Sequence, residues 1–168
     1  MTVPFPAKSF MPEGYHTVTP WIIGPHTAEL IDWLGAVFGA TELGRVQDEQ
    51  TGAIGHAEVR IGDSVVMLFD SRPHWPATPA HLRLYLEDAD AVHAKAVAAG
   101  AESVTEMTYL FFGDRVGRVR DPFGNLWWLH TRIEDLPEDE VYRRMQLPEF
   151  VEAMRYVSGS DLVTPTAG

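Results

Sequence analysis

At 168 residues, with 45% hydrophobic and 22% charged positions, the chain has the length for one domain with a sizeable core and is too short for two ordinary ones. Its formal net charge of −11 argues against nucleic-acid binding, which needs a basic face, and against docking to an acidic membrane surface. It has no cysteine, so disulfides, thiolate nucleophiles and cysteine metal sites are excluded.

Residues 1–13 read as an N-terminal extension. The stretch MTVPFPAKSFMPEGY has three prolines and no continuous apolar run, so it is neither a signal peptide nor an anchor. No other segment approaches the apolar length that spans a bilayer. A soluble, cytoplasmic protein is expected.

A strand is predicted over His16–Ile23, followed by a helix from Thr27 to Phe38. Leu30, Leu34, Val37 and Phe38 share one helical face, with Thr27 as cap and Gly39 as stop. Strands follow at Glu42–Gln47, Ile54–Ile61 and Ser64–Phe69, with Gly62-Asp63 as a hairpin turn. The proline-rich Ser71–Ala80 reads as a linker.

The same order then recurs. A strand at His81–Leu86 precedes a helix from Asp88 to Ala99, with Asp88 as cap, Val92, Ala96 and Ala99 as its stripe and Gly100 as its stop. Strands at Glu102–Thr108, Arg115–Arg120 and Leu126–Thr131 complete it, the last two joined by the turn Asp121-Pro122-Phe123-Gly124. Periodicity alone therefore gives two tandem βαβββ modules, halves of about 14–72 and 80–135 within a domain of 14–135.

Residues 136–168 differ. Pro137 followed by Glu138, Asp139 and Glu140 marks a helix start, Pro148 interrupts, and a second short helix runs through Tyr156. From Gly159 a frayed tail is expected. This helical extension is expected to pack on the outside of the domain or on a partner subunit. There is no Gly-x-Ser-x-Gly elbow, phosphate loop or dinucleotide fingerprint.

Several segments occur in a telling order: Gly14-Tyr15-His16-Thr17-Val18-Thr19-Pro20, Phe38-Gly39-Ala40, His56–Asp63, Phe112-Gly113-Asp114-Arg115, Arg120–Gly124 and Thr131–Asp135. Together they resemble the PhnB-like branch of the glyoxalase/bleomycin resistance/dioxygenase (vicinal oxygen chelate) superfamily, over roughly residues 14–145. The resemblance implies an α+β fold in which two βαβββ modules form a cupped mixed sheet, usually in homodimers. It does not imply one function, because such folds host lyases, isomerases, dioxygenases and drug-sequestering proteins.

Metal-dependent members carry one ligand on each of four strands facing the cup. Aligned on the helices and the last turn, those positions fall at Thr19, near Leu68, at His81 and at Trp128. Only His81 is a good ligand, and a divalent site needs at least three convergent donors. The expectation is therefore no metal cofactor. The alternative is a relocated Ni, Zn, Mn or Fe site from His81, His130 and Asp70. Asn125 and Arg132 stand where relatives often have histidine, which thins the imidazole supply further.

Alternation along His81–Leu86 turns His81, Arg83 and Tyr85 to the cup and Leu82, Leu84 and Leu86 to the helices. Two readings stand. Either Arg83 pairs with Glu58 or Asp70 and His81 bonds a neighbouring strand, or Arg83 receives an anionic or carbonyl-bearing ligand that His81 and Tyr85 orient. Trp21, Trp128 and His130 share the cup's parity, and flat aromatic walls suit a planar ligand. Trp33 and Trp127 read as packing, the loop Phe111-Phe112-Gly113 as a hydrophobic anchor or a lid, and Arg115, Arg118 and Arg120 as partners of the many acids or, alternatively, as a phosphate or carboxylate site.

The candidate ligand-binding set is thus Thr19, Trp21, Leu68, His81, Arg83, Tyr85, Trp128 and His130. The reading that results is a metal-free small-molecule-binding protein, serving drug sequestration and resistance or a biosynthetic pathway. The alternative is a glyoxalase-type lyase or isomerase, working through a relocated metal or through His81 and Tyr85 as an acid–base pair. A third possibility is a structural dimer module with a filled cup.

Overall fold

The computed structural model describes residue 5 and residues 7–159. Within it the chain divides into a unit ending at Thr78 and a unit beginning at Pro79. Of the frayed tail expected from Gly159, that residue ends a helix and residues 160–168 lie outside the described residues, as do residues 1–4 and 6 of the N-terminal extension.

The first unit comprises β1 (Trp21–Gly24), α1 (Thr27–Phe38), β2 (Thr41–Gln47), β3 (Ile54–Ile61) and β4 (Ser64–Asp70), with strand order β1-β4-β3-β2. β1 runs parallel to β4 and the other pairs are antiparallel. A parallel pair needs a crossover, and α1 supplies its helix. Burial alternates along β3: Ala57, Val59 and Ile61 are buried, while His56, Glu58 and Arg60 are half-buried. α1 presses Leu30, Ile31, Trp33, Leu34 and Val37 into the core that these strands complete. β1 is shorter than the strand expected from His16. Pro20 has no N–H for a ladder, and its carbonyl accepts the Met67 N–H at 2.9 Å just before the strand begins.

The helix start differs from expectation in its cap. Thr27 is already helical, and His26 before it makes no side-chain capping bond. Asp70, 43 residues away, accepts the Thr27 N–H at 2.9 Å with one carboxylate oxygen and the Ile54 N–H at 2.7 Å with the other. A carboxylate there also answers the helix dipole.

The second unit repeats the plan with β5 (His81–Tyr85), α2 (Ala89–Ala98), β6 (Glu102–Tyr109), β7 (Asp114–Arg120) and β8 (Leu126–Arg132), in the order β5-β8-β7-β6. Asp88 caps α2 by accepting the Ala91 N–H at 2.9 Å. The buried stripe is Ala89, His93 and Ala96 rather than Val92, Ala96 and Ala99. His93 belongs inside because its Nε2 bonds the Thr105 carbonyl at 3.1 Å. Gly117 leaves room for it, since a Cβ there would come 3.2 Å from the His93 ring. Beyond β7, the buried Asp121 carboxylate gathers the N–H groups of Phe123 and Asn125, the Asn125 amide and the Trp127 indole. That web fixes the turn into β8.

Two helices follow, α3 (Glu138–Arg144) and α4 (Pro148–Gly159). α4 was expected on the outside of the domain or on a partner; it packs on its own unit's sheet. Val157 is fully buried with Leu110 and Val116, and Ala153, Met154, Phe112 and Trp128 pack against them. Val116 stands opposite His130 in the β7–β8 register, so α4 lies on the sheet face away from α2, over β6 and β7, and leaves the β5 side of that face open. The Tyr156 hydroxyl accepts the Glu106 N–H at 2.8 Å. Arg144 bonds Tyr109, Glu134 at 2.7 Å and Glu140 at 2.7 Å, tying α3 to β6. Among the described residues no helix is long and apolar enough to cross a membrane.

Candidate functional site: the open face of the second sheet

Successive strand residues face opposite sides, so register decides which side chains meet. Arg83 stands opposite Trp128 and Tyr85 opposite His130, and Arg118 stands opposite Trp128 from the other neighbour. These five therefore share the face away from α2, while Trp127 and Leu129 fill the α2 side, fully buried.

Trp128 is the hub of this face. Its indole N–H donates to His81 Nε2 at 2.6 Å, with the two rings 15° from parallel. The Arg118 guanidinium lies over the indole, 4.7 Å from the ring centroid. Because His81 accepts at Nε2, its neutral ring carries the proton on Nδ1. His81, Leu82, Arg83 and Trp128 line an open depression of about 360 Å³. Arg83 makes no ion pair or side-chain hydrogen bond among the described residues. The acids considered for it are taken: Glu58 accepts from Tyr15 and lies 3.0 Å from His56 Nε2, and Asp70 caps α1.

Beside the depression lies a buried pair. His130 Nδ1 is 3.1 Å from Asp114 Oδ2, and both side chains are at most 2% exposed. Burial pushes the His130 imidazole below its ordinary pKa, the hydrogen bond to Asp114 opposes this, and the positive charge of Arg83 adds to the lowering. The neutral ring donates Nδ1–H to Asp114, which leaves Nε2 a bare lone pair, and that atom has no hydrogen-bond partner among the described residues. The Tyr85 ring sits 5.2 Å away, centroid to centroid.

Of the sequence-derived set, His81, Arg83, Tyr85, Trp128 and His130 come together on this face. Thr19, Trp21 and Leu68 belong to the first unit. Thr19 precedes β1 and donates its hydroxyl to the His16 carbonyl at 3.3 Å. Trp21 is 46% exposed on the face it shares with Met67. Leu68 corrects the expectation: it is fully buried, opposite Ala57 and Ile22 in the α1-side layer. Its neighbours Met67 and Phe69 have the open-face parity. Asp114 and Arg118 were not singled out for this site. Their signal was parity with Val116 on β7 and cross-strand placement against β8. The loop at Phe111–Gly113 is anchored, because the Gly113 carbonyl accepts the N–H groups of Ile133 and Glu134 at 2.9 and 3.1 Å.

The residues at the superfamily's metal positions do not fit a metal. They offer a hydroxyl already donated, a buried leucine, an imidazole whose Nε2 is taken by Trp128, and an indole. The relocated set fares no better. Both Asp70 oxygens accept backbone N–H groups, and His81 and His130 are four residues apart along the β5–β8 pairing, about 13 Å at strand rise. Among the described residues no three of His, Asp or Glu cluster closely enough to hold an ion.

Comparison with known proteins agrees with this architecture. Residues 15–129 match the model of the Glyoxalase/Bleomycin resistance protein/Dioxygenase superfamily. An uncharacterized protein of Mycobacterium bovis, Mb0911c, is 34% identical over 76% of this chain and 91% of its own. Among solved structures, TioX from Micromonospora sp. ML1 is similar with a TM-score of 0.56 and 27% identity, over 69% of this chain and 99% of its own. The PhnB protein of Bacillus cereus gives a TM-score of 0.58 at 19% identity, over the same shares of the two chains. The chain belongs to the glyoxalase/bleomycin resistance protein/dioxygenase superfamily.

Proposed function

We propose that this protein binds a small anionic or carbonyl-bearing molecule on the open face of its second sheet, without the metal centre of the superfamily's enzymes. The observation that carries this is Arg83: an exposed guanidinium with no acid partner among the described residues, in a chain of net charge −11. Such a group is available for bidentate bonds to a carboxylate, phosphate or carbonyl oxygen. His81 adds a donor at Nδ1, Tyr85 a hydroxyl, and Trp128 an aromatic wall. Binding of this kind suits sequestration of a drug or custody of a biosynthetic intermediate, in a cytoplasmic homodimer, and breaks no bond.

The experiment is calorimetric titration with phenylpyruvate, which combines a carboxylate, a carbonyl and a ring. Saturable binding that weakens by about tenfold or more in Arg83→Gln is expected, the loss of a charged hydrogen bond. Binding that is indifferent to Arg83→Gln contradicts the reading.

One observation favours a second reading, metal-free acid–base catalysis. The imidazole equipped as a base is His130 rather than His81: Asp114 fixes its tautomer and its buried Nε2 has no partner among the described residues, so a substrate reaches it only where the Tyr85 and Trp128 rings beside it give way. In this reading His130 takes the proton next to a substrate carbonyl whose oxygen Arg83 and Tyr85 steady. Deuterium exchange at that carbon of phenylpyruvate, above the buffer rate and lost in His130→Gln, separates this reading from simple binding.

A further inference from the structure

In the second unit the Nε2 atom of His130 is buried and has no hydrogen-bond partner among the described residues. An acceptor shut away from water without a donor costs stability. Its enclosure comes from three neighbours. Val116 stands opposite His130 across the β7–β8 ladder, and the Trp128 and Tyr85 rings lie 6.3 and 5.2 Å from the imidazole, centroid to centroid. Two of the three, Val116 and Trp128, also belong to the cluster on which α4 sits.

α4 is held unevenly. At its first turn the Phe150 ring meets the Tyr109 ring edge to face at 5.6 Å, and the Arg144 guanidinium lies 5.9 Å from both ring centroids. Arg144 also bonds Glu134 and Glu140, so this end is fastened to β6 and to the segment after β8. The far end rests on less. Of the helix's 12 residues only Val157 is buried, with Ala153 and Met154 half-buried beside it. The Tyr156 hydroxyl adds its bond from the Glu106 N–H. A helix attached chiefly by one buried side chain opens at lower free energy than strands bonded on both sides. α3 ends at Arg144 and α4 begins at Pro148, and Met145–Leu147 between them make the hinge.

We propose that α4 is a latch over His130: seated, it pins Val116 and Trp128 and seals Nε2, and swung away at Met145–Leu147 it frees Trp128 to move aside and opens that atom. Both helices follow the stretch that matches the superfamily, residues 15–129, so the latch is built from sequence outside the common module. The inference deepens the acid–base reading and rests on it for its purpose, since a base sealed under α4 acts only when the helix lifts. Its geometry does not depend on turnover.

The test is acylation of the full chain with diethyl pyrocarbonate at about pH 7.5, where ordinary imidazoles are neutral. Peptide mass mapping reads each histidine, with the exposed His74 as internal standard. In the native chain His130 should react at least about tenfold more slowly than His74. Val157→Asp, which puts a charge in the apolar seat, should raise the His130 rate by about tenfold or more and leave His74 within about twofold. Amide hydrogen exchange on the same variant should show α4 released while β7 and β8 stay protected. Should β7 and β8 lose protection too, the milder Val157→Ala and Tyr156→Phe carry the comparison, each raising the rate by about threefold or more. His130 that stays sealed in a variant whose α4 is released overturns the proposal. So does a native His130 as reactive as His74. Tyr85→Ala that opens His130 as far as Val157→Asp does, with α4 still protected, also overturns it, because Tyr85 would then be the gate. His130 that opens in Val157→Asp without exchanging deuterium into phenylpyruvate would sustain the latch and sink the acid–base reading.

Discussion

The Trp128 indole N–H donates to His81 Nε2 at 2.6 Å, so the imidazole at the superfamily's metal position spends its lone pair on a neighbouring strand. Trp128 also carries the Arg118 guanidinium on its ring and touches the α4 core. Trp128→Ala should therefore lose ligand affinity and about 2 kcal/mol of stability, below the range for a wholly buried ring because Trp128 is only half-buried. Trp128→Phe should keep most of the stability and still lose affinity, because His81 is no longer oriented. Urea denaturation and phenylpyruvate titration of the two variants separate these effects.

His130 sets a pH dependence. Its pKa is lowered in the folded chain, chiefly by burial, so below an ordinary value of about 6.5 the unfolded chain binds the proton more readily. Stability should be full above that value, fall as the pH drops below it, and level off below the folded pKa. His130→Gln retains a donor for Asp114 and should flatten this part of the profile, as read from urea midpoints between about pH 7.5 and pH 5.

Asp70 acts as a structural cap rather than a ligand. Asp70→Ala leaves the Thr27 and Ile54 N–H groups without their acceptor and should cost about 1–2 kcal/mol. Asp70→Asn, which keeps one carbonyl acceptor, should cost less. Denaturant unfolding orders the three proteins, and binding at Arg83 should be unchanged in both variants.

Gly113 has φ 88°, and a Cβ there would lie 2.6 Å from the Glu134 carbonyl oxygen. That contact is with backbone and cannot swing aside. Gly113→Ala should destabilise the protein by about 1–3 kcal/mol, seen as a lowered Tm. A freely moving lid at this loop would show no such loss.

Much of the fold was legible because its signals are local. The span Thr27–Phe38 carries its own apolar stripe and its Gly39 stop, and α1 occupies those bounds. The parity of His81, Arg83 and Tyr85 followed from simple alternation and agrees with the register. What failed was non-local. The cap of α1 comes from Asp70, 43 residues downstream. Leu68 was placed on the open face from spacing alone, and a one-residue slip along a strand exchanges the two faces. His93 does not belong to the apolar stripe that the sequence suggests, yet a carbonyl on β6 makes its burial tolerable. α4 showed where it would start but not which face it would cover, because the apolar surface that receives it is assembled from β7, β8 and the loop before β7.

The central claim is that the second sheet's open face binds its ligand without a metal. Its most direct test is phenylpyruvate titration of protein stripped with a chelator, repeated after adding Ni²⁺, Zn²⁺, Mn²⁺ or, anaerobically, Fe²⁺. The account predicts one-to-one binding in the stripped protein that metal does not strengthen and that Arg83→Gln weakens. Binding that appears only with a divalent ion, and is lost in His81→Ala, would contradict it.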